Sequence, residues 1–185
     1  MPSIYCALVH HPVLDRRGEE VTSAVTNVDV HDIARSARTY GLDGYFVVAP
    51  VEAQRRVVQR ILDHWSSGPG AQRLPSRRDA LALCRPVESL AQVAECIWNQ
   101  HGSKPYFWAT TARSEGVQSP IGVARRRIAH AKRPQCILFG TGHGLAPSVF
   151  DLVEGVLPSI QPGKYNHLSV RAAAAILFDR LFAQD

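Results

Sequence analysis

No apolar run in the 185 residues reaches the ~18 that a membrane-spanning helix requires, and the opening MPSIYCALVHH is too short and too strand-like for a secretory signal. The expectation is a soluble, cytoplasmic protein without a membrane role. Cysteine is scarce, and Cys6, Cys84, Cys96 and Cys136 stand in no CxxC or other metal-ligand spacing, so no metal is expected and the thiols read as free, mostly buried side chains. Acidic residues fall short of basic ones, 16 against 21, which leaves a net charge of +5. That balance disfavours a cationic partner and suits a polyanion such as RNA. Internal repeats and low-complexity tails are missing, and a 45% hydrophobic chain of this length holds one core rather than two. Residues 1–185 are therefore expected to form a single domain.

Short apolar runs alternate with amphipathic segments. Strands are expected at Ile4–Val9, Gly44–Val48, Leu81–Cys84, Tyr106–Ala109, Cys136–Phe139 and Gly155–Leu157. Helices are expected at Val30–Tyr40, Val51–Trp65, Val87–Asn99, Ile121–Ala131, Ser148–Val153 and Leu168–Phe182, each with apolar residues at helical spacing. Ser66–Arg78, rich in Gly, Pro, Ser and Arg, reads as a loop. Brief strands buried on both faces and separated by helices give an α/β domain with a mostly parallel central sheet and helices on both faces.

Three strand ends carry the chemistry. Cys136–Pro147, CILFGTGHGLAP, runs from an apolar strand into Gly140, Thr141, Gly142 and Gly144. Glycines at such a turn allow close backbone approach to a ligand, and open α/β sheets bind ligands beyond the carboxyl ends of strands. The loop has no Lys-Ser/Thr pair, so it is not a phosphate-binding P-loop. VLPSIQPGKYNHLSV follows the next short strand, and YFWATTARSEG ends an earlier one in Thr110, Thr111 and Arg113. Together these loops predict one pocket with a backbone-rich lining.

ILFGTGHGL, followed some twenty residues on by LPSIQPGKYNHLSVRAAAAI, resembles the two C-terminal signature motifs of the SPOUT, or α/β-knot, RNA methyltransferases. Thr26–Val48, TNVDVHDIARSARTYGLDGYFVV, resembles their first motif, and the whole chain is similar to a group of bacterial SAM-dependent RNA methyltransferases. The resemblance implies a C-terminal trefoil knot whose loops hold S-adenosyl-L-methionine, a homodimer, and methyl transfer to a nucleotide of tRNA or rRNA. In the ribose-methylating branch Asn and Gly usually stand at the places of Asp29 and His31, and Glu at that of His143, so the acceptor atom stays open between ribose and base.

Carried onto this chain, the resemblance assigns cofactor binding to Thr110, Thr111, Phe139, Gly140, Thr141, Gly142 and Gly144. It adds Leu157, Ile160, Tyr165, Asn166, Leu168 and Ser169 from the last loop. Arg35, Asp32, Asn166 and Ser169 are the catalytic candidates; Asp32 and Arg35, at i and i+3 on a helix, can pair. His31, Arg35, Arg113, Arg16 and Arg17 are the RNA-contact candidates, with His10 and His11 beside them. Asn166 or Ser169 is expected to cap the final helix, and His143 and His167 read as hydrogen-bonding loop residues. Two other readings stay in view: a knotted RNA-binding module without catalysis, and an unrelated nucleotide-using α/β enzyme.

Overall fold

The computed structural model describes residues 2–113, 116–161 and 165–183. In chain order the strands are β1 (Ile4–Val9), β2 (Val13–Leu14), β3 (Glu20–Val21), β4 (Gly44–Val48), β5 (Cys84–Val87), β6 (Tyr106–Ala109), β7 (Gln135–Gly140) and β8 (Gly155–Val156). The helices are α1 (Asn27–Thr39), α2 (Glu52–Ser66), α3 (Pro69–Arg73), α4 (Pro75–Leu81), α5 (Leu90–His101), α6 (Ile121–Ala129), α7 (Pro147–Phe150) and α8 (Val170–Phe182).

Six of the strands make one sheet in the order β5-β4-β1-β7-β6-β8, and every pairing in it is parallel. Alternate residues divide between two cores. Cys6, Leu8, Tyr45, Val47, Ile137 and Phe139 meet the face covered by α1, α2, α4, α6 and α8. Ala7, Val9, Phe46, Val48, Cys136 and Leu138 meet α5 and α7. The α/β expectation, with helices on both faces, is met.

Local sequence explains the elements that frame the sheet's carboxyl edge. Val30, Ile33, Ala34 and Ala37 of α1 are buried at helical spacing, and the Thr26 side chain caps the helix by accepting from the Asp29 amide. At the other end Gly41 takes φ 73°, a left-handed turn that glycine adopts without a steric cost. Ser169 caps α8 in the same way, accepting from the Ala172 amide at 3.4 Å. Leu177, Phe178 and Leu181 then bury the helix against the sheet, at roughly 1.5–3 kcal/mol for each such side chain.

Three expectations are corrected. Ser66–Arg78 is mostly helical: it holds α3 and runs into α4, where Pro75 occupies the first turn and Ala80 and Leu81 bury the end. Leu81 thus closes a helix, and the strand starts at Cys84. It continues through Pro86 to Val87 instead of giving way to a helix there, and a proline is tolerated because β5 is an edge strand. The antiparallel pair β2-β3 was not expected at all.

Candidate active site

From β1 the strand order runs outward through β4 and β5 on one side and through β7, β6 and β8 on the other. The carboxyl ends of β1 and β7 therefore flank a topological switch point, where open α/β sheets leave a crevice. A cavity of about 800 Å³ lies there, within the ~300–1,000 Å³ range of small-ligand sites. The segment after β3 and the first turn of α1 line it with Ser23, Ala24, Thr26 and Asp29. The other walls come from Thr110–Arg113 after β6, Phe139–Leu145 of β7 and its glycine loop, and Asn166–Arg171 at the entry to α8.

The glycine loop is fixed from behind. Leu14 of β2 donates its amide to the Gly144 carbonyl and accepts from the His143 amide, both at 2.9 Å. Gly142 (φ 60°) and Gly144 (φ 101°) adopt the left-handed turn this requires. A Cβ at Gly140 would stand 2.6 Å from the Leu145 nitrogen, so the loop closes on itself only around a glycine.

A partly buried polar chain runs along the same wall. His10 Nδ1 lies 2.9 Å from Ser23 Oγ, Ser23 Oγ hydrogen-bonds Thr141 Oγ1, and the Thr141 hydroxyl donates to the Val9 carbonyl at 3.0 Å. His10 is 0% exposed. Its burial pushes the imidazole pKa down to about 4, against a smaller opposing pull from Asp29.

Asp29 faces the cavity in a fixed pose. It accepts from the Thr26 hydroxyl at 2.6 Å and pairs with Arg171 of α8 at 3.1 Å, while the Arg171 Nε also lies 3.7 Å from Asp32. Opposite, Asn166 donates to the Ala112 carbonyl at 2.8 Å and to Ser159 Oγ at 2.9 Å, tying the loop before α8 to the loop after β6.

Most of the residues expected to bind the cofactor converge here: Thr110, Thr111, Phe139, Gly140, Thr141, Gly142, Gly144, Ile160, Asn166, Leu168 and Ser169 all line the cavity, as does Arg113. Leu157 and Tyr165 do not: Leu157 is wholly buried in the core and Tyr165 is exposed beside His167. The glycine-bearing turn expected at Pro162–Lys164 lies outside the described residues.

Asp32 and Arg35 face each other at 4.0 Å on α1, outside the cavity lining. His31 turns toward α2, edge-on to Trp65 at 5.8 Å. Burial lowers its pKa first and the Arg77 guanidinium second. Arg16 and Arg17 sit on the exposed β2-β3 turn. The expectation that His10 touches RNA is overturned by its complete burial. Ser23 and Arg171 were missed: Ser23 gives no local signal, whereas Arg171 stands out as the one charge in an alanine-rich helix start.

A family model described as SAM-dependent RNA methyltransferase matches residues 3–183. The chain is 43% identical over 180 residues to a tRNA (guanine-N(1)-)-methyltransferase of Nitratidesulfovibrio vulgaris, covering 97% of this chain and 42% of that protein. It is 42% identical over 180 residues to a protein of the same description from Oleidesulfovibrio alaskensis, with the same coverage. The chain thus spans about two fifths of the length of these curated relatives. A protein of Aquifex aeolicus is 37% identical over 184 residues, 99% of this chain and 90% of its own.

Among solved structures, TrmJ from Z. mobilis ZM4 shares the fold at a TM-score of 0.62 and 19% identity, covering 100% of this chain and 70% of that one. The TrmH/SpoU tRNA modifying enzyme of A. aeolicus does so at 0.55 and 12%, covering 97% and 72%.

Proposed function

The chain belongs to the SAM-dependent RNA methyltransferase family, and we propose that it transfers the methyl group of S-adenosylmethionine to a nucleotide of RNA. Transfer RNA is the first substrate to test, because two curated relatives carry that name; ribosomal RNA is the second. The observation that carries this reading is the cavity at the switch point, walled by the loops that bear the family's signature residues. The residues present fit the cofactor. Phe139, Ile160, Leu168 and Leu177 supply an apolar slot, and the glycine loop and the Thr110, Thr111 and Thr141 hydroxyls supply polar contacts.

When bound, S-adenosylmethionine contributes a sulfonium-activated methyl group, and the protein's share is in-line placement. Asn166 holds two walls together, and Ser169 fixes the start of α8. Among the described lining residues Asp29 is the one carboxylate, so it, rather than Asp32, is placed to take a proton from an acceptor. Arg113, exposed at the cavity and with a planar fork of N–H donors, suits a phosphate of the substrate.

Arg35 lies six residues beyond Asp29 on α1, about 9 Å along the axis, and does not line the cavity of its own chain. A homodimer that brings a second copy's α1 to the cavity mouth would let it act there, and the exposed apolar Val28 and Leu168 support such a contact. The knot belongs to the same reading, with α8 packed back on α1 and β7 beside the glycine loop. Among the described residues no helix is long and apolar enough to cross a membrane, which accords with a cytoplasmic site of action.

Calorimetric titration with S-adenosylmethionine, followed by nucleoside mass spectrometry of RNA from cells with and without the gene, tests the proposal. Binding together with one lost methylated nucleoside is the expected outcome. A silent titration at high protein concentration overturns it, and binding with unchanged RNA methylation favours the non-catalytic module.

A further inference from the structure

The chain His10–Ser23–Thr141 has few protons, and the Thr141 contact with the Val9 carbonyl orders them. The Thr141 hydroxyl gives its hydrogen to the Val9 carbonyl at 3.0 Å. The contact between Ser23 Oγ and Thr141 Oγ1 then needs the Ser23 hydrogen. Two other acceptors compete for it: His10 Nδ1 at 2.9 Å, which would then leave an unpartnered N–H buried on Nε2, and the His10 carbonyl, which lies 3.5 Å away and already takes the Ser23 amide at 2.8 Å. With the Ser23 hydrogen on Thr141, Ser23 Oγ meets His10 Nδ1 at 2.9 Å as an acceptor, and the imidazole then carries its hydrogen on Nδ1. Nε2 is left as a buried acceptor with no partner. The burial that keeps the ring neutral agrees with a single hydrogen on it.

We infer that His10 is a positioning residue which turns the Ser23 and Thr141 hydroxyls into a wall of hydrogen-bond acceptors, so that the cavity selects a ligand group arriving with N–H or O–H donors. Each oxygen already donates one bond and accepts one, which leaves one lone pair apiece, and both residues line the cavity. An ammonium or a sugar hydroxyl satisfies that wall. A carboxylate or another pure acceptor is repelled by it, and a ligand group without a donor leaves the lone pairs unpaired. Resting on the methyl-donor reading, the inference identifies the amino-acid ammonium or the ribose hydroxyls of S-adenosylmethionine as one source of the donor and the acceptor nucleotide as the other.

Two measurements test it. Long-range nitrogen–proton NMR of the free protein should show His10 as the Nδ1–H tautomer; an Nε2–H tautomer overturns the inference whether or not the protein binds a methyl donor. Calorimetry then compares S-adenosylmethionine with analogues lacking the amino group or a ribose hydroxyl, on wild type, His10→Leu and His10→Asn. Wild type should prefer the intact ligand over one of these analogues by ~10-fold or more. His10→Leu should lose most of that preference, and His10→Asn, whose amide can donate to Ser23, should restore it.

The analogue that loses affinity names the group. Equal binding of every analogue by wild type, with discrimination appearing only once RNA is added, assigns the donor to the nucleotide. Unchanged discrimination in His10→Leu overturns the inference while the methyl-donor reading stands. Failure of wild type to bind S-adenosylmethionine sinks that reading instead and leaves the tautomer to be judged alone.

Discussion

Both N–H bonds of the Asn166 amide are committed to protein acceptors, the Ala112 carbonyl across the cavity and Ser159 Oγ in its own loop. Asn166→Ala should cost ~1–2 kcal/mol through these two bonds and weaken S-adenosylmethionine binding about tenfold or more, read by calorimetry; unchanged affinity would refute the placement. His10 carries a pH signature. Its pKa is about 4 in the fold against 6.5 when unperturbed, so between those values the unfolded chain binds a proton that the native state refuses. Stability is whole above pH 6.5 and is lost as pH falls toward 4, by about 3 kcal/mol at most. Urea melts of wild type and His10→Asn should diverge over that window, and parallel curves would contradict the burial argument. At this scale the sequence was half legible. Thr141 and Asn166 lie in motifs that can be recognised. His10 looks like part of a polar turn because the strand before it gives no hint that the loop after it folds back over its ring.

Among elements, β7 was readable because an apolar strand running into three glycines has few alternatives. The segment 66–81 was not, because its Pro and Gly content marks a loop while its helices draw their stability from tertiary burial of Ala80 and Leu81. Two-residue strands such as β2 and β3 have no periodicity to detect, yet β2 holds the glycine loop in place. The edge strand β8 depends on an absence. A Cβ at Gly155 would sit 2.5 Å from the Trp108 ring, and that ring is fully buried with its Nε1 donating to Gln135 at 2.8 Å. Gly155→Ala should therefore destabilise by ~1–3 kcal/mol in chemical denaturation, and a neutral result would mean that β8 shifts without cost.

For the whole molecule, the proposed function gives the excess of arginine and the cavity different parts of one substrate. On that reading backbone phosphates would supply affinity that salt weakens, and the nucleotide at the cavity would supply selectivity. Arg113→Ala should lower RNA affinity and reduce the slope of log affinity against log salt by about one, measured by fluorescence anisotropy; an unchanged slope would remove Arg113 from the phosphate contacts. Fold class was legible from alternation alone, whereas closure of the cavity was not, since Asp29 and Arg171 meet across 142 residues of sequence. That last pairing bears on synthesis. Every strand of the sheet leaves the ribosome before α8 does, but the final wall of the cavity, with Val170, Arg171, Ala173 and Leu177, arrives only with that helix. A nascent or clipped chain ending before Val170 would have its strands but lack this wall, so on the proposed reading capture of the methyl donor waits for the last helix to be made.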